Sequence, residues 1–126
     1  MNENEISVHI VDCAVQLHKD LGPGLFESVY EITLAHLLQK RGLLVERQVE
    51  IPIDYDGLHI NDAFRADIIV NKLVIIELKS LEVIRPVHKK QLLTYLKLTD
   101  LKLGMLLNFG EALMKDGISR VANGYF

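Results

Sequence analysis

With a single cysteine, Cys13, the chain cannot close an internal disulfide. Its stability therefore has to come from packing, and a reducing, cytoplasmic setting is expected. Cys13 falls on the apolar side of a helical pattern, where a free cysteine is expected as a small core residue. No apolar run approaches the ~20 residues that cross a bilayer, so no membrane association is expected. The start, Met1-Asn2-Glu3-Asn4-Glu5, is polar and acidic and has no secretory signal. No His/Cys group has zinc spacing, and no glycine-rich phosphate loop occurs. Linkers, low-complexity tracts and internal repeats are also missing. Positive charge is scarce: 14 Lys and Arg against 17 Asp and Glu leave a net charge of −3. The whole molecule does not attract nucleic acid, so any such binding has to use a local patch.

What remains is an ordinary globular composition. The 126 residues are 49% apolar and 25% charged, enough to bury a core without metal or disulfide staples. We expect one domain over 1–126. Ile6, Ile10, Cys13, Ala14, Leu17 and Leu21 recur at helical spacing, with Asn4 as the expected cap and Gly22-Pro23-Gly24 as the stop. A second helix is expected over 26–41, ended by Gly42. The period then changes to two. Val45, Val49, Ile51, Ile53 and Tyr55 share one face of a strand, and Pro52 suggests an edge position or a bulge. Asp56-Gly57 is a hairpin turn. Strands over 58–70 and 73–79 are apolar on both faces near Val70 and Ile75, as in a sheet covered on both sides. Pro86 opens a third helix over 86–98. Strands over 102–109 and 118–122 follow, the second after a turn at Lys115-Asp116-Gly117. The order is α/β with a mixed central sheet: hairpins first, then a crossover through the third helix.

Charged residues at the ends of the buried strands carry the chemistry. Glu77 and Lys79 are two apart in a strand and share a face. Asp67 holds the same kind of position on the preceding strand. Two carboxylates and a main-chain carbonyl, that of Leu78, suit Mg²⁺ with sites left for water and phosphate. A lysine beside them can orient the attacking water. The same spacing also fits a salt-bridged strand end, with Lys79 neutralising Glu77 or Asp67. Convergence makes a geometric demand. A two-residue turn at Asn71-Lys72 would pair Asp67 with Ile76 and face it away from Glu77, so an odd-length loop or a bulge is required.

Flanking polar groups are open to two readings. Glu27 in a first helical turn favours the helix dipole, or adds a carboxylate to the cluster. Tyr30 shares its face. His88, Gln91 and Tyr95 form one stripe of the third helix, suited to substrate phosphate or base, or simply to the solvent boundary. Between Lys79 and Lys102 six Lys or Arg face two acids, a local excess of four positive charges in an acidic chain. That is a candidate backbone-binding edge, or a solvated helix face.

Gly24-x-x-Glu27-x-x-Tyr30 resembles the signature of the GxxExxY proteins. The resemblance continues through Phe64-Arg65-Ala66-Asp67, through Val74 to Lys79, and through His88-Lys89-Lys90-Gln91 on to Tyr95. It ends with Leu103-Gly104-Met105-Leu106-Leu107-Asn108-Phe109-Gly110. It implies a PD-(D/E)XK nuclease-like core, α-β-β-β-α-β, with an extra N-terminal helix. It also implies metal ligation by Asp67, Glu77 and Leu78, and a catalytic role for Lys79 with Glu27 nearby. Tyr30, His88, Gln91 and Tyr95 are then expected at the substrate. Ala66 stands where the nominal motif has proline. The implied activity is a Mg²⁺-dependent nuclease, with Mn²⁺ as a substitute, acting on DNA. The alternative is a catalytically inactive module of the same fold that binds nucleic acid or a protein partner, including a second copy.

Overall fold

A computed structural model describes residues 1–124. The helical periods become α1 (Glu3–Leu21) and α2 (Glu27–Lys40). Asn2, rather than Asn4, caps α1. Its Oδ1 accepts from the Glu5 N–H at 2.8 Å, and the Glu5 carboxylate accepts from the Asn2 N–H at 3.2 Å. This reciprocal box satisfies two free donors at once, whereas the Asn4 side chain is taken by Arg120. α2 buries Tyr30, Glu31, Leu34, Ala35 and Leu38.

Five strands follow the helices: β1 (Val45–Tyr55), β2 (Leu58–Val70), β3 (Val74–Lys79), β4 (Leu103–Asn108) and β5 (Ile118–Ala122). The helix α3 (Pro86–Thr99) joins β3 to β4, and a single turn, α4 (Met114–Gly117), precedes β5. α4 replaces the expected turn there; four residues are too few to show a period. The strands lie in chain order, β1-β2-β3-β4-β5. β3 and β4 are parallel and all other neighbours antiparallel. The one parallel pair is the one that needs a crossover, and α3 supplies it. The result is the expected α/β fold with a mixed sheet between helical layers.

α1 and α2 cover one face of the sheet, with Ile6, Ile10, Leu34 and Leu38 packed on Ile68, Ile76, Leu78 and Leu107. α3 covers the other through Leu92 and Leu96, against Ala66, Ile75 and Leu106. Contact here is close: a Cβ on Gly104 would meet Leu92 at 2.8 Å. β3 lies at the centre and is buried from Val74 to Leu78. β1 is an edge strand, and its register shifts between Ile51 and Ile53, at Pro52. Asp56 (φ +49) and Gly57 (φ +80) turn the first hairpin between Tyr55 and Leu58. β2 outruns β3, so the β1–β2 hairpin continues past it as an arm that exposes Tyr55, Leu58 and Ile60. Among the described residues no helix is long and apolar enough to cross a membrane.

Candidate active site

β2 and β3 pair as Val70 with Val74, Ile69 with Ile75, and Ile68 with Ile76. Residues 71–73 form the turn, so the loop is odd and the register meets the demand set by Asp67 and Glu77. The next pair in this register is Asp67 opposite Glu77. There the backbone ladder stops and side chains replace it. The Asp67 N–H donates to Glu77 Oε1 at 3.4 Å, and the Leu78 N–H donates to Asp67 Oδ2 at 2.9 Å. The other edge of Asp67 is also released. β1 pairs Arg47 with Ile68 and Val49 with Ala66, but Gln48 between them has φ +51 and leaves the ladder. Ala66 packs with the α3 layer and Ile68 with the α1–α2 layer, although they are two residues apart. Strand alternation therefore breaks at Asp67, and its carboxylate stands in a fork between β2 and β3.

Two carboxylates meet in this fork. Glu77 is only 9% exposed. Burial, the Asp67 charge and a hydrogen bond between the two side chains push its carboxyl up to about 9. The Asp67 backbone and the Lys79 ammonium pull the other way without offsetting this. Lys79 is half-buried, and among the described residues it forms no ion pair with either carboxylate. The salt-bridged strand end is thus not the arrangement found. The pair stays short of positive charge.

Beside the fork lies a cavity of about 350 Å³. α2 contributes Glu27, Ser28 and Glu31, β1 contributes Arg47 and Gln48, and Asp67 and Leu78 complete the lining. Glu27 is the first residue of α2 and is exposed at this cavity. It does not join the carboxylate pair directly: among the described residues no three His, Cys, Asp or Glu side chains gather as a metal-holding group. On the α3 side, Tyr95 stacks on Phe64 with centroids 3.9 Å apart. Burial first, then the charges of Glu77 and Asp67, raise its phenol pKa, so the hydroxyl stays a donor. Gln91 is exposed one turn earlier on the same helix.

Two expected substrate contacts are placed elsewhere. Tyr30 is wholly buried and stacks on Phe109 at 4.2 Å. Its hydroxyl donates to the Gly22 carbonyl at 2.6 Å and accepts from the Leu25 N–H at 3.1 Å. It is an internal post for the loop before α2 and has no surface to offer a substrate. His88 folds back on the start of α3, where Nδ1 accepts from the Arg85 N–H at 3.0 Å. It lines a separate hollow with Leu81, Glu82, Val83 and Arg85.

Glu31, Arg47 and Gln48 are cavity residues that the sequence reading passed over. Glu31 is 5% exposed. Its Oε2 accepts from Arg47 Nε and Nη2 at 3.1 and 2.9 Å, and its Oε1 accepts from Gln48 Nε2. A signal existed for two of them. Glu31 shares the spacing of buried Leu34, Ala35 and Leu38, and Arg47 shares the phase of Val45, Val49 and Ile51. Opposite charges at two apolar-phase positions point to a buried pair. The positive φ of Gln48 has no such signature.

The donor set fits a hard cation. Asp67 and Glu77 present oxygens in one place, and among the described residues no cation pairs with them. The Phe109 N–H donates to the Lys79 carbonyl at 2.8 Å on the β4 side. Successive carbonyls alternate in a strand, so that of Leu78 turns to the β2 side, where Asp67 stands. Two carboxylates and a carbonyl suit a divalent cation that keeps several waters of its own.

A model of the PD-(D/E)XK nuclease superfamily matches residues 4–121. Among solved structures, one described as the crystal structure of SSO0001 is similar, with a TM-score of 0.54 and 25% sequence identity. The similarity covers 79% of this chain and 52% of the other, so the chain spans about half the length of that relative. No curated protein matches the sequence.

Proposed function

The chain belongs to the PD-(D/E)XK nuclease superfamily, and from that premise we propose that it is a Mg²⁺-dependent nuclease that hydrolyses DNA phosphodiester bonds, of the GxxExxY group. The observation that carries this reading is the unneutralised pair, Asp67 and Glu77, set opposite each other where the ladder opens. Without a cation the two groups share their place only because Glu77 keeps a proton. A divalent cation gives the arrangement a purpose.

In this reading Asp67, Glu77 and the Leu78 carbonyl hold the ion, with Mn²⁺ able to replace Mg²⁺. The bound ion would lower the pKa of a water and stabilise charge on the phosphoryl oxygens. Lys79, on the same strand face as Glu77 and in no ion pair among the described residues, orients the attacking water and adds positive charge at the phosphate. Glu27 acts from the cavity side on the surrounding waters. Tyr95 donates a hydrogen bond to the substrate, and Gln91 extends that contact along α3. The whole activity resides in one domain, and the lysines of α3 carry the DNA backbone.

Titration of the protein with Mg²⁺ or Mn²⁺ tests the site. Binding by the wild type and its loss in both Asp67→Ala and Glu77→Ala is the expected result; no binding by the wild type removes the enzyme reading. Cleavage of single-stranded, duplex or branched DNA should then depend on Lys79, with Lys79→Ala inactive. One feature favours the second reading, an inactive module for a protein partner: the arm exposes Tyr55, Leu58 and Ile60 together. Metal-independent binding of a protein with no cleavage of any DNA would select it.

A further inference from the structure

We propose that Arg47 is a phosphate-binding residue of this site and that buried Glu31 is the residue that positions it. The inference rests on the nuclease reading above and adds a contact from β1.

The first ground is charge. The cavity beside the fork is lined by three carboxylates, Glu27, Glu31 and Asp67, and by one cationic side chain, Arg47. A phosphodiester entering that space meets strong repulsion unless cations receive it. A metal at Asp67 and Glu77 answers for one side, and Arg47 is the cation on the other.

The second ground is geometry. Glu31 takes Nε and Nη2 of Arg47 on a single oxygen, Oε2. That fixes the plane of the guanidinium and leaves its far edge unused. Among the described residues Nη1 has no hydrogen-bond partner, and the Arg47 side chain is 40% exposed while that of Glu31 is 7% exposed. One edge of the fork is thus anchored in the protein and the other faces the cavity. A planar, always-charged donor held this way matches phosphate geometry without losing side-chain freedom on binding.

The third ground is what Glu31 does with its other oxygen. Oε1 accepts from Gln48, the residue whose backbone sits at φ +51 opposite Asp67. A single buried carboxylate therefore holds both the cation and the β1 residue opposite Asp67, where the ladder is interrupted without a register shift. The same bond satisfies the second buried oxygen, so Glu31 is held at both oxygens beside Arg47. Burial of an ion pair is weak support for stability in any case.

The rival account is that Arg47 merely satisfies Glu31. Removing both charges separates the two. Binding of a fluorescently labelled oligonucleotide is measured by anisotropy over a salt series. The Lys79→Ala background with Mg²⁺ present lets the complex form while hydrolysis is blocked. Glu31→Gln keeps the Arg47 charge but loosens its anchor, and should lose about threefold in affinity with the same salt slope. Glu31→Gln with Arg47→Gln leaves no buried charge unpaired, yet should lose about tenfold in affinity. Its salt slope should fall by about one, the signature of one lost phosphate contact. Arg47→Lys keeps the charge and the buried pair but not the fork, and should lose about threefold with the slope unchanged. Should the double variant fail to fold, this substitution still decides. Parental affinity and slope in the double variant, or in Arg47→Lys where only that one folds, would overturn the assignment while leaving the nuclease reading intact. Failure of the parent to bind any oligonucleotide removes both.

Discussion

Glu77 couples protons, stability and metal in one residue. Its carboxyl is pushed up from 4.5 to about 9 in the folded chain, first by burial and then by Asp67. Between those values the native state holds a proton that the unfolded chain has lost. The unfolding free energy then falls as pH rises, because the unfolded state binds fewer protons. The stabilising contribution is complete below about 4.5 and is lost as pH rises through about 9. The metal-free protein should therefore lose stability across that window in urea denaturation. Glu77→Gln, which has no proton to lose, should flatten the dependence. A cation needs the ionised carboxylates, so metal binding should tighten with pH and release a proton. Proton release shows in titrations run in buffers of different ionisation enthalpy. An identical pH slope in the wild type and Glu77→Gln would show that Glu77 is not the group responsible.

At the scale of elements, the site depends on the turn between β2 and β3. Asn71 and Lys72 both sit at positive φ, +50 and +56, and with Leu73 they make the three-residue loop. Deleting Lys72 shortens the loop to two residues but leaves Val70 opposite Val74, so Asp67 stays opposite Glu77. The exposed Lys72–Glu46 pair lost with it contributes at most ~1 kcal/mol. The variant should keep its secondary structure by circular dichroism and its divalent-metal binding; lost metal affinity in the folded variant would contradict the register argument. The demand for an odd loop was legible in the sequence because strand parity is strict. The elements were legible for the same reason: their apolar periods of 3.6 and two are long and clean. Tyr30 was not, because the spacing that places it on the Glu27 side of α2 does not say whether a phenol points to solvent or to the core. His88 shares the Gln91 and Tyr95 stripe, but a helix-start position lets its ring turn back on the backbone. The break at Gln48 was hidden because its side chain is held by a long-range partner, Glu31.

Across the whole molecule, charge is segregated although the total is only −3. α3 carries Lys89, Lys90 and Lys97 and no acid. Among the described residues none of these lysines is in an ion pair. The β1–β2 arm is acidic, with Glu50, Asp54, Asp56 and Asp62 against Arg65. The carboxylate fork lies where these two regions diverge. A nucleic-acid backbone would be drawn along α3 and repelled from the arm, so in the proposed reading the substrate path should follow the helix past Gln91 and Tyr95 to the fork. Reversing Lys89 and Lys90 to Glu tests that path. Both are exposed and neither lines the cavity, so the metal site should keep its affinity within about twofold, since surface charges are screened within ~10 Å at 0.1 M salt. Oligonucleotide affinity should fall by tenfold or more at low salt, and the slope of log affinity against log salt should drop by about two for two lost phosphate contacts. Asp54→Lys with Asp56→Lys at the arm tip changes the charge by the same amount in the opposite direction and should change neither slope nor affinity. Equal effects from α3 and the arm would mean that net charge alone governs binding and that α3 is not the path.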